Sequence, residues 1–209
     1  MSLEVTLARI AELQTVLAPK PAPVDPAAFR GTLQSVQAGL PAGMTGAAPA
    51  APAQPLAPPV AGGTPAGQAI VNLVRGEVGQ AEQPPGSNDS PRIAQYRQAT
   101  AGSGVGPWCA YFTSWAAREA GAPLGEAGQG FGRVDDVYAW AQRAGKAIPA
   151  GSGPPQPGDL IVWDEHIGVV ESVLPDGQIQ TIEGNSADAV TRRVHDATGG
   201  GAIGYVRLG

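Results

Sequence analysis

The tract from Pro41 to Pro65 divides the chain, because it consists mostly of Ala, Pro and Gly and contains no charged residue. Such a tract supplies few large side chains for a core, so we expect an extended linker there. The 209 residues include 30 Gly and 21 Pro, which is typical of a chain that packs only in part. We therefore predict a short helical segment at 1–40, a flexible linker at 41–66 and a folded domain at 67–209.

The N-terminal segment carries an amphipathic helical pattern. Apolar residues recur at helical spacing at Leu3, Leu7, Ile10, Leu13 and Leu17. A shorter apolar pattern follows a Pro-rich break, at Phe29, Leu33, Val36 and Leu40. A helix of this kind cannot bury its apolar face alone, so we expect it to dock on a protein partner or on a second copy of itself.

Charge and cysteine content argue against several classes of protein. The formal net charge of −5 disfavours nucleic-acid binding, because it offers no excess of cations to neutralise phosphates. Glu4, Arg9 and Glu12 interrupt the apolar stretch that a Sec signal peptide needs, and no run is long enough to span a bilayer. The single cysteine, Cys109, excludes an internal disulfide and zinc sites built from paired cysteines. We expect no metal and no cofactor.

In the folded domain the helical patterns come first and the strand patterns second. Helices are predicted from about Ile70 to near Gly79, after Ser90 as N-cap, around Cys109 until Gly121, and from Val134 to Gly145. Strands are predicted at DLIVW, HIGVVESV, QIQTIEGNS, residues 190–195 and AIGYVRL. Helices followed by antiparallel strands predict an α+β domain.

The one cysteine lies at the first turn of its predicted helix, in GVGPWCAYFTSWAAREAG. The positive end of the helix dipole and the free backbone N–H groups there both favour a thiolate. A thiol nucleophile needs a base, and the chain has two histidines, His166 and His195. His166 opens a strand directly after DLIVW and is the better candidate. His195 runs into a glycine-rich loop and is assigned a structural role.

The turn Pro175-Asp176-Gly177 predicts a hairpin that brings His166 near two polar side chains. A four-residue loop places His166 opposite Asn185 and Gly168 opposite Glu183, and a two-residue loop keeps the same face. A three-residue loop would break this pattern. If the pattern holds, a carboxylate or an amide can fix the tautomer of the imidazole.

Three motifs, PWCAYFTSW, PGDLIVWDEHIGVV and IEGNS, resemble the CHAP family of cysteine, histidine-dependent amidohydrolases and peptidases, relatives of papain and of the NlpC/P60 hydrolases. The resemblance covers roughly residues 67–209 and implies a papain-like fold whose helices pack on an antiparallel sheet. It implies Cys109 as nucleophile, His166 as general base, Glu183 as the orienting acid and Asn185 as a further polar member. The Val-Gly-Pro-Trp before the cysteine departs from the Asp-Gly-Gln of many members, which leaves the second oxyanion-hole donor open.

The same resemblance implies an activity and a place of action. Family members usually hydrolyse peptidoglycan, between muramic acid and L-alanine or within its peptides, so the expected substrate lies in the bacterial cell wall. Without a Sec signal peptide, export would use a dedicated route or phage lysis. The N-terminal segment weakly resembles that of flagellum-associated wall hydrolases. Two alternatives stay open: a catalytically silent module that binds the wall or a protein, and an amidase acting on a small soluble amide.

Two further residues are candidates for substrate binding. Trp108 precedes the cysteine and could line the cleft, although core packing of its helix is an equal alternative. Asn88, in the polar stretch GSNDSPRIAQY, could contact substrate or stabilise its own loop as an Asx turn.

Overall fold

The computed structural model describes residues 62–209, so the predicted segment at 1–40 and most of the predicted linker at 41–66 lie outside the described residues. The helices are α1 (Pro65–Arg75), α2 (Pro91–Arg97), α3 (Cys109–Glu119) and α4 (Val134–Arg143). The strands are β1 (Ala147–Pro149), β2 (Leu160–Val162), β3 (Ile167–Val173), β4 (Ile179–Ser186), β5 (Ala189–His195) and β6 (Gly204–Val206). The predicted α+β class is confirmed.

The first helix starts and ends earlier than the sequence pattern predicts. Thr64 caps α1 by accepting a hydrogen bond from a first-turn N–H, so Pro65 is helical although we placed it in the linker. The helix ends at Arg75, and not near Gly79. The chain must leave the helix there because the Gly79 N–H donates to Val190 O, beside β5.

The other three helices begin where the sequence predicts. Ser90 caps α2 by accepting a hydrogen bond from the Ile93 N–H, and Pro91 occupies the first helical position. Gly121 and Gly145 follow the ends of α3 and α4 with φ of 75° and 66°, a left-handed conformation that glycine adopts without strain. Capping residues were therefore readable from the sequence.

All six strands form one antiparallel sheet in the order β1-β6-β2-β3-β4-β5. The edge strand β1 was not predicted, because its three residues, Ala-Ile-Pro, are too few to show an alternating pattern. The main core lies between the helices and one sheet face, and it includes Ile70, Tyr96, Trp108, Phe112, Leu160, Val169 and Ile182. A smaller cluster covers the opposite face with Ile161, Val170, Ile179, Ala202 and Tyr205.

The two ends of the described domain meet. The Thr64 hydroxyl, at the start of α1, donates a hydrogen bond to the Leu208 carbonyl oxygen, one residue before the C-terminus. A Cβ built on Gly209 would lie 3.3 Å from the Thr64 Cβ. The first and last elements therefore support each other.

The loop between β3 and β4 has the length that we expected to break the pattern around His166. The Leu174 N–H donates to Gln178 O at 2.8 Å, which leaves three residues, 175–177, in the loop. With that loop alone, every side chain of β3 would face the wrong residues of β4.

A β-bulge corrects this register. Val173 pairs with Ile179 near the turn, but beyond the bulge at Glu171 the pairing moves by one residue and Val170 faces Thr181. The shifted register is the one predicted for a four-residue loop. It explains why a Cβ on Gly168 would approach Glu183 Cγ to 2.6 Å.

The bulge residue is itself a buried carboxylate held by two arginines. Glu171 is 4% exposed. Its Oε1 accepts from Arg75 Nε of α1 at 2.7 Å, and its Oε2 accepts from Arg192 Nε of β5 at 2.8 Å. The extra residue of β3 is thus fixed by contacts on both sides.

Candidate active site

The nucleophile candidate Cys109 is the first residue of α3, and no side chain caps this helix. The first intrahelical bond runs from the Phe112 N–H to Trp108 O at 3.0 Å, so the N–H groups of Cys109 and Ala110 precede the helical ladder. The free thiol is 4% exposed and lines a surface groove. Donors and helix dipole at this point favour a thiolate and a developing oxyanion.

A glycine in β4 lets this helix lie directly on the sheet. A Cβ on Gly184 would approach Phe112 Cβ to 2.7 Å and Trp108 to 2.9 Å, so any larger residue would push α3 away. The position of Cys109 relative to the strands is therefore set by backbone-to-aromatic packing. This close approach brings the thiol to the strand that carries the histidine.

His166 lies one residue before β3, and its side chain is 30% exposed. Its Nε2 donates to Glu183 Oε2 at 2.9 Å, so Nδ1 is the ring nitrogen left for Cys109. Burial would lower the pKa of His166, but hydrogen bonds with Cys109 and Glu183 outweigh it and raise this pKa to about 9. An imidazolium beside the thiol at neutral pH stabilises the thiolate.

Glu183 of β4, the predicted orienting acid, contacts this histidine and is 3% exposed. Its Oε1 accepts from the Thr181 hydroxyl at 2.6 Å and from His195 Nε2 at 2.7 Å. Burial would raise the pKa of Glu183, but hydrogen bonds from His166, Thr181 and His195 lower it to about 2. The carboxylate is therefore ionised throughout the physiological range.

A comparison with known protein families gives a match to part of the chain. Residues 100–185 match the family model of the CHAP domain. This part of the chain is therefore similar to a CHAP domain. No curated protein and no solved structure matches the chain. The matched residues include Cys109, His166 and Glu183, and CHAP domains are generally hydrolases.

Trp108 packs in the core, the equal alternative to a place in the cleft. The residue is fully buried, and its Nε1 donates to Glu82 Oε1 at 2.9 Å. The indole fills the core beneath the start of α3 because its one polar atom finds a buried carboxylate there.

Glu82 was missed by the sequence analysis, because AEQPPGSN has the composition of a polar loop. It is 3% exposed, and its Oε2 accepts from the Asn88 N–H at 2.8 Å. Asn88 itself is half-buried with φ of 55°, a left-handed loop conformation that asparagine tolerates. Glu82 thus ties the loop around Asn88 to Trp108, directly before the nucleophile, and contact of Asn88 with substrate stays a prediction.

Asn185 lies two residues beyond Glu183, at an irregular point of β4. It is half-buried with φ of 59°, and the pairing of β4 with β5 shifts between Glu183 and Ser186. No hydrogen bond joins its side chain to His166 within residues 62–209. Its role in the site therefore stays a prediction.

His195, for which we expected a structural role, contacts the same carboxylate as His166. The β4–β5 turn, Ala187-Asp188, has φ of 55° and 58° at its two residues, as in a type I′ hairpin. Neither residue is glycine or asparagine, so no turn motif predicted the register of this hairpin. The strand near 190–195 was predicted, but its pairing with Glu183 was not.

A groove of about 480 Å³ opens beside Cys109. Its walls come from Pro107, Cys109, Tyr111, Gly132, Arg133, Val134, Asp135, Asp164 and Glu165. Three carboxylates and one guanidinium therefore line the groove that the thiol also lines. Asp164 and Glu165, which precede His166, are exposed charges at the rim and do not contact its ring nitrogens.

No group of three or more His, Cys, Asp or Glu residues that could hold a metal ion occurs within residues 62–209. Over the same range, the helices are too short or too polar to cross a membrane.

Proposed function

We propose that this chain is a cysteine-dependent hydrolase that cleaves amide bonds of bacterial peptidoglycan, as an N-acetylmuramoyl-L-alanine amidase or as a peptide endopeptidase. The observation that carries the proposal is the alignment of Cys109, His166 and Glu183. The thiol lies at an uncapped helix start, and Glu183 holds the imidazole that hydrogen-bonds to it. The CHAP match supports a hydrolase, and CHAP domains act on peptidoglycan.

The chemistry follows from these positions. The Cys109 thiolate attacks the amide carbonyl carbon, and the resulting oxyanion receives hydrogen bonds from N–H groups at the start of α3, worth about 3 kcal/mol per donor. His166 gives its proton to the leaving amine, so the C–N bond breaks and a thioester remains. Water then attacks the thioester with His166 as base, which releases a carboxylic acid and restores the thiol.

The charges of the groove suit the peptides of peptidoglycan. Asp135, Asp164 and Glu165 can bind the amino groups that diamino acids and cross-bridges carry, while Arg133 can bind a carboxylate. An uncharged amide substrate would leave these groups without partners. The lining therefore supports a charged peptide substrate.

The setting belongs to the same proposal. We place the site of action at the bacterial cell wall, with export by a dedicated route or release by phage lysis. The helical segment at 1–40 would dock on a protein partner, and the linker at 41–66 would tether it to the catalytic domain at 67–209. A flagellum-associated or a phage enzyme would both use such a tether.

Release of soluble fragments from purified peptidoglycan tests the function. The wild type, Cys109→Ala and His166→Ala are compared under reducing conditions, with products identified by mass spectrometry. We expect release by the wild type and a loss on the order of 10³-fold or more in both variants, because each removes one half of the nucleophile. Val194→Ala, an exposed position on β5, is the matched control and should retain full release.

The products name the bond, because new termini at muramic acid or within the peptide distinguish amidase from endopeptidase. Wild-type protein that sediments with the wall but releases nothing would contradict the proposal and favour a silent binding module. Turnover confined to small soluble amides would favour an amidase that acts on such compounds.

A further inference from the structure

The buried carboxylate of Glu183 is shared by two imidazoles. Its Oε2 accepts from His166 Nε2 at 2.9 Å, and its Oε1 accepts from His195 Nε2 at 2.7 Å. The Thr181 hydroxyl also donates to Oε1, at 2.6 Å. Because both oxygens are engaged and the residue is 3% exposed, the plane of the carboxylate has one orientation.

His195 is fixed by its own surroundings. Its ring packs against Trp163 with centroids 4.9 Å apart, and Trp163 Nε1 donates to Gly199 O at 2.8 Å. A Cβ on Gly200 would approach His195 Nδ1 to 2.9 Å, so the glycine-rich loop closes around the ring. The imidazole therefore has its Nε2 directed at Glu183.

His195 takes no part in the proposed mechanism. The nucleophile, the base and the orienting acid are already Cys109, His166 and Glu183. Thr181 alone could satisfy the second oxygen of the carboxylate. A second imidazole adds a donor on a strand other than that of Glu183, which stops the carboxylate from turning about its own side-chain bonds.

We propose that His195 is a positioning residue, which holds Glu183 Oε1 so that Oε2 stays aligned with His166. It acts on the reaction only through Glu183 and His166. The inference rests on the proposed function, because it takes Cys109 and His166 to work as a pair. The charged groups that face His195 are Glu183 of β4 and the exposed Asp196 of the following loop.

Alkylation of Cys109 by iodoacetamide tests this without any wall substrate, because the chain has no other cysteine. The rate is measured from about pH 5 to about pH 10, where thiolate and imidazolium both titrate. His195→Phe keeps an aromatic ring against Trp163 but removes the donor, whereas His195→Gln keeps an N–H donor. Val194→Thr, the exposed neighbour on β5, is the control.

The wild-type profile should have an upper inflection near pH 9, from His166. In His195→Phe we expect this inflection about one pH unit lower, because a loosened carboxylate stabilises the imidazolium less. His195→Gln should return it to the wild-type value. On peptidoglycan, kcat of His195→Phe should fall about tenfold with KM unchanged, as for loss of one hydrogen bond to a charged group.

An inflection in His195→Phe that equals the wild type would overturn the proposal, and so would a glutamine variant that behaves like phenylalanine. If His195→Phe does not fold, spectra of wild-type chain labelled with ¹⁵N-histidine are the second measurement, and a His195 Nε2 that donates no hydrogen bond to Glu183 would overturn the proposal. A shifted alkylation profile together with no peptidoglycan release would support the positioning role and reject the proposed substrate.

Discussion

Two buried carboxylates of the same sheet, Glu171 and Glu183, have the same number of basic partners but different kinds of partner. Glu171 is 4% exposed and binds Arg75 and Arg192. Glu183 is 3% exposed and binds His166 and His195. Guanidinium groups stay charged at every pH that a protein survives, whereas imidazoles exchange their proton near neutrality.

The comparison separates a structural centre from a chemical one. Around Glu171 the charges are permanent, so the cluster joins α1 and β5 to the bulge of β3 and moves no proton. Around Glu183 one partner, His166, can gain or lose a proton, and it also contacts a thiol. Two carboxylates of equal burial thus differ in their chemistry because their partners differ.

The largest effect on peptidoglycan release should come from Glu183→Gln. The amide replaces one accepting oxygen with an NH₂ group that faces an imidazole N–H. The hydrogen bond that fixes the tautomer of His166 is then lost. We expect peptidoglycan release by the folded variant to fall on the order of 10³-fold. Activity within about threefold of the wild type would show that Glu183 does not orient the base.

Glu171→Gln should show the opposite behaviour. Two arginines lose the charge of their buried partner, so we expect the free energy of unfolding to fall by about 3 kcal/mol. Folded protein at low temperature should keep its rate of peptidoglycan release. Glu126→Gln is the matched control: its pair with Arg143 is fully exposed, and urea denaturation should show no measurable change.

The pH dependence should follow the titratable centre alone. His166 has its pKa raised from 6.5 to about 9, so its contribution to stability is complete below pH 6.5 and is lost as the pH rises through 9. Activity should fall about tenfold per pH unit above that inflection, as the imidazolium that protonates the leaving amine disappears. The inflection in kcat/KM should be the same in Glu171→Gln, and a shifted inflection there would show that the two centres are coupled.

At acid pH the contribution of Glu183 to stability changes with pH in the opposite direction to that of His166. Glu183 has its pKa lowered from 4.5 to about 2, so its contribution to stability is present above pH 4.5 and is lost as the pH falls toward 2. Acid denaturation of Glu183→Gln should lack this contribution, which a comparison of urea midpoints at two pH values would reveal.

The smallest expected effect belongs to Gly168→Ala. The new Cβ would lie 2.6 Å from Glu183 Cγ and must displace that side chain, so we expect peptidoglycan release to fall roughly tenfold. Gly153→Ala is the control, because its Cβ would meet nothing closer than 4.0 Å and its φ is not left-handed. Equal activity of the two variants would mean that the carboxylate tolerates displacement.

Local signals made much of the fold and half of the site predictable. Cys109 at a helix start and His166 at a strand start follow from patterns within about ten residues. The bulge could not be predicted, because Glu171 is fixed by Arg75 and Arg192, which are 96 and 21 positions away. The correct face of Glu183 thus resulted from two features, a three-residue loop and a bulge, that cancel.

The errors and omissions have one physical origin. The partners of Trp108, Glu82 and His195 are distant in the sequence. Trp108 and Glu82 bind each other, and His195 binds Glu183. Sequence patterns give the face of an element but not what packs against it. The roles of such residues become visible only when the partner is known.

The hydrogen bond between Thr64 and Leu208 has a consequence for how this domain can be carried. Because its two ends meet, the domain could be inserted into a single surface loop of another protein, and short linkers at both ends would suffice. A circular permutant that joins Gly209 to Thr64 through a few glycines and opens at the exposed turn 175–177 should also fold. The domain can thus be moved between proteins as one unit, because its two connections lie side by side.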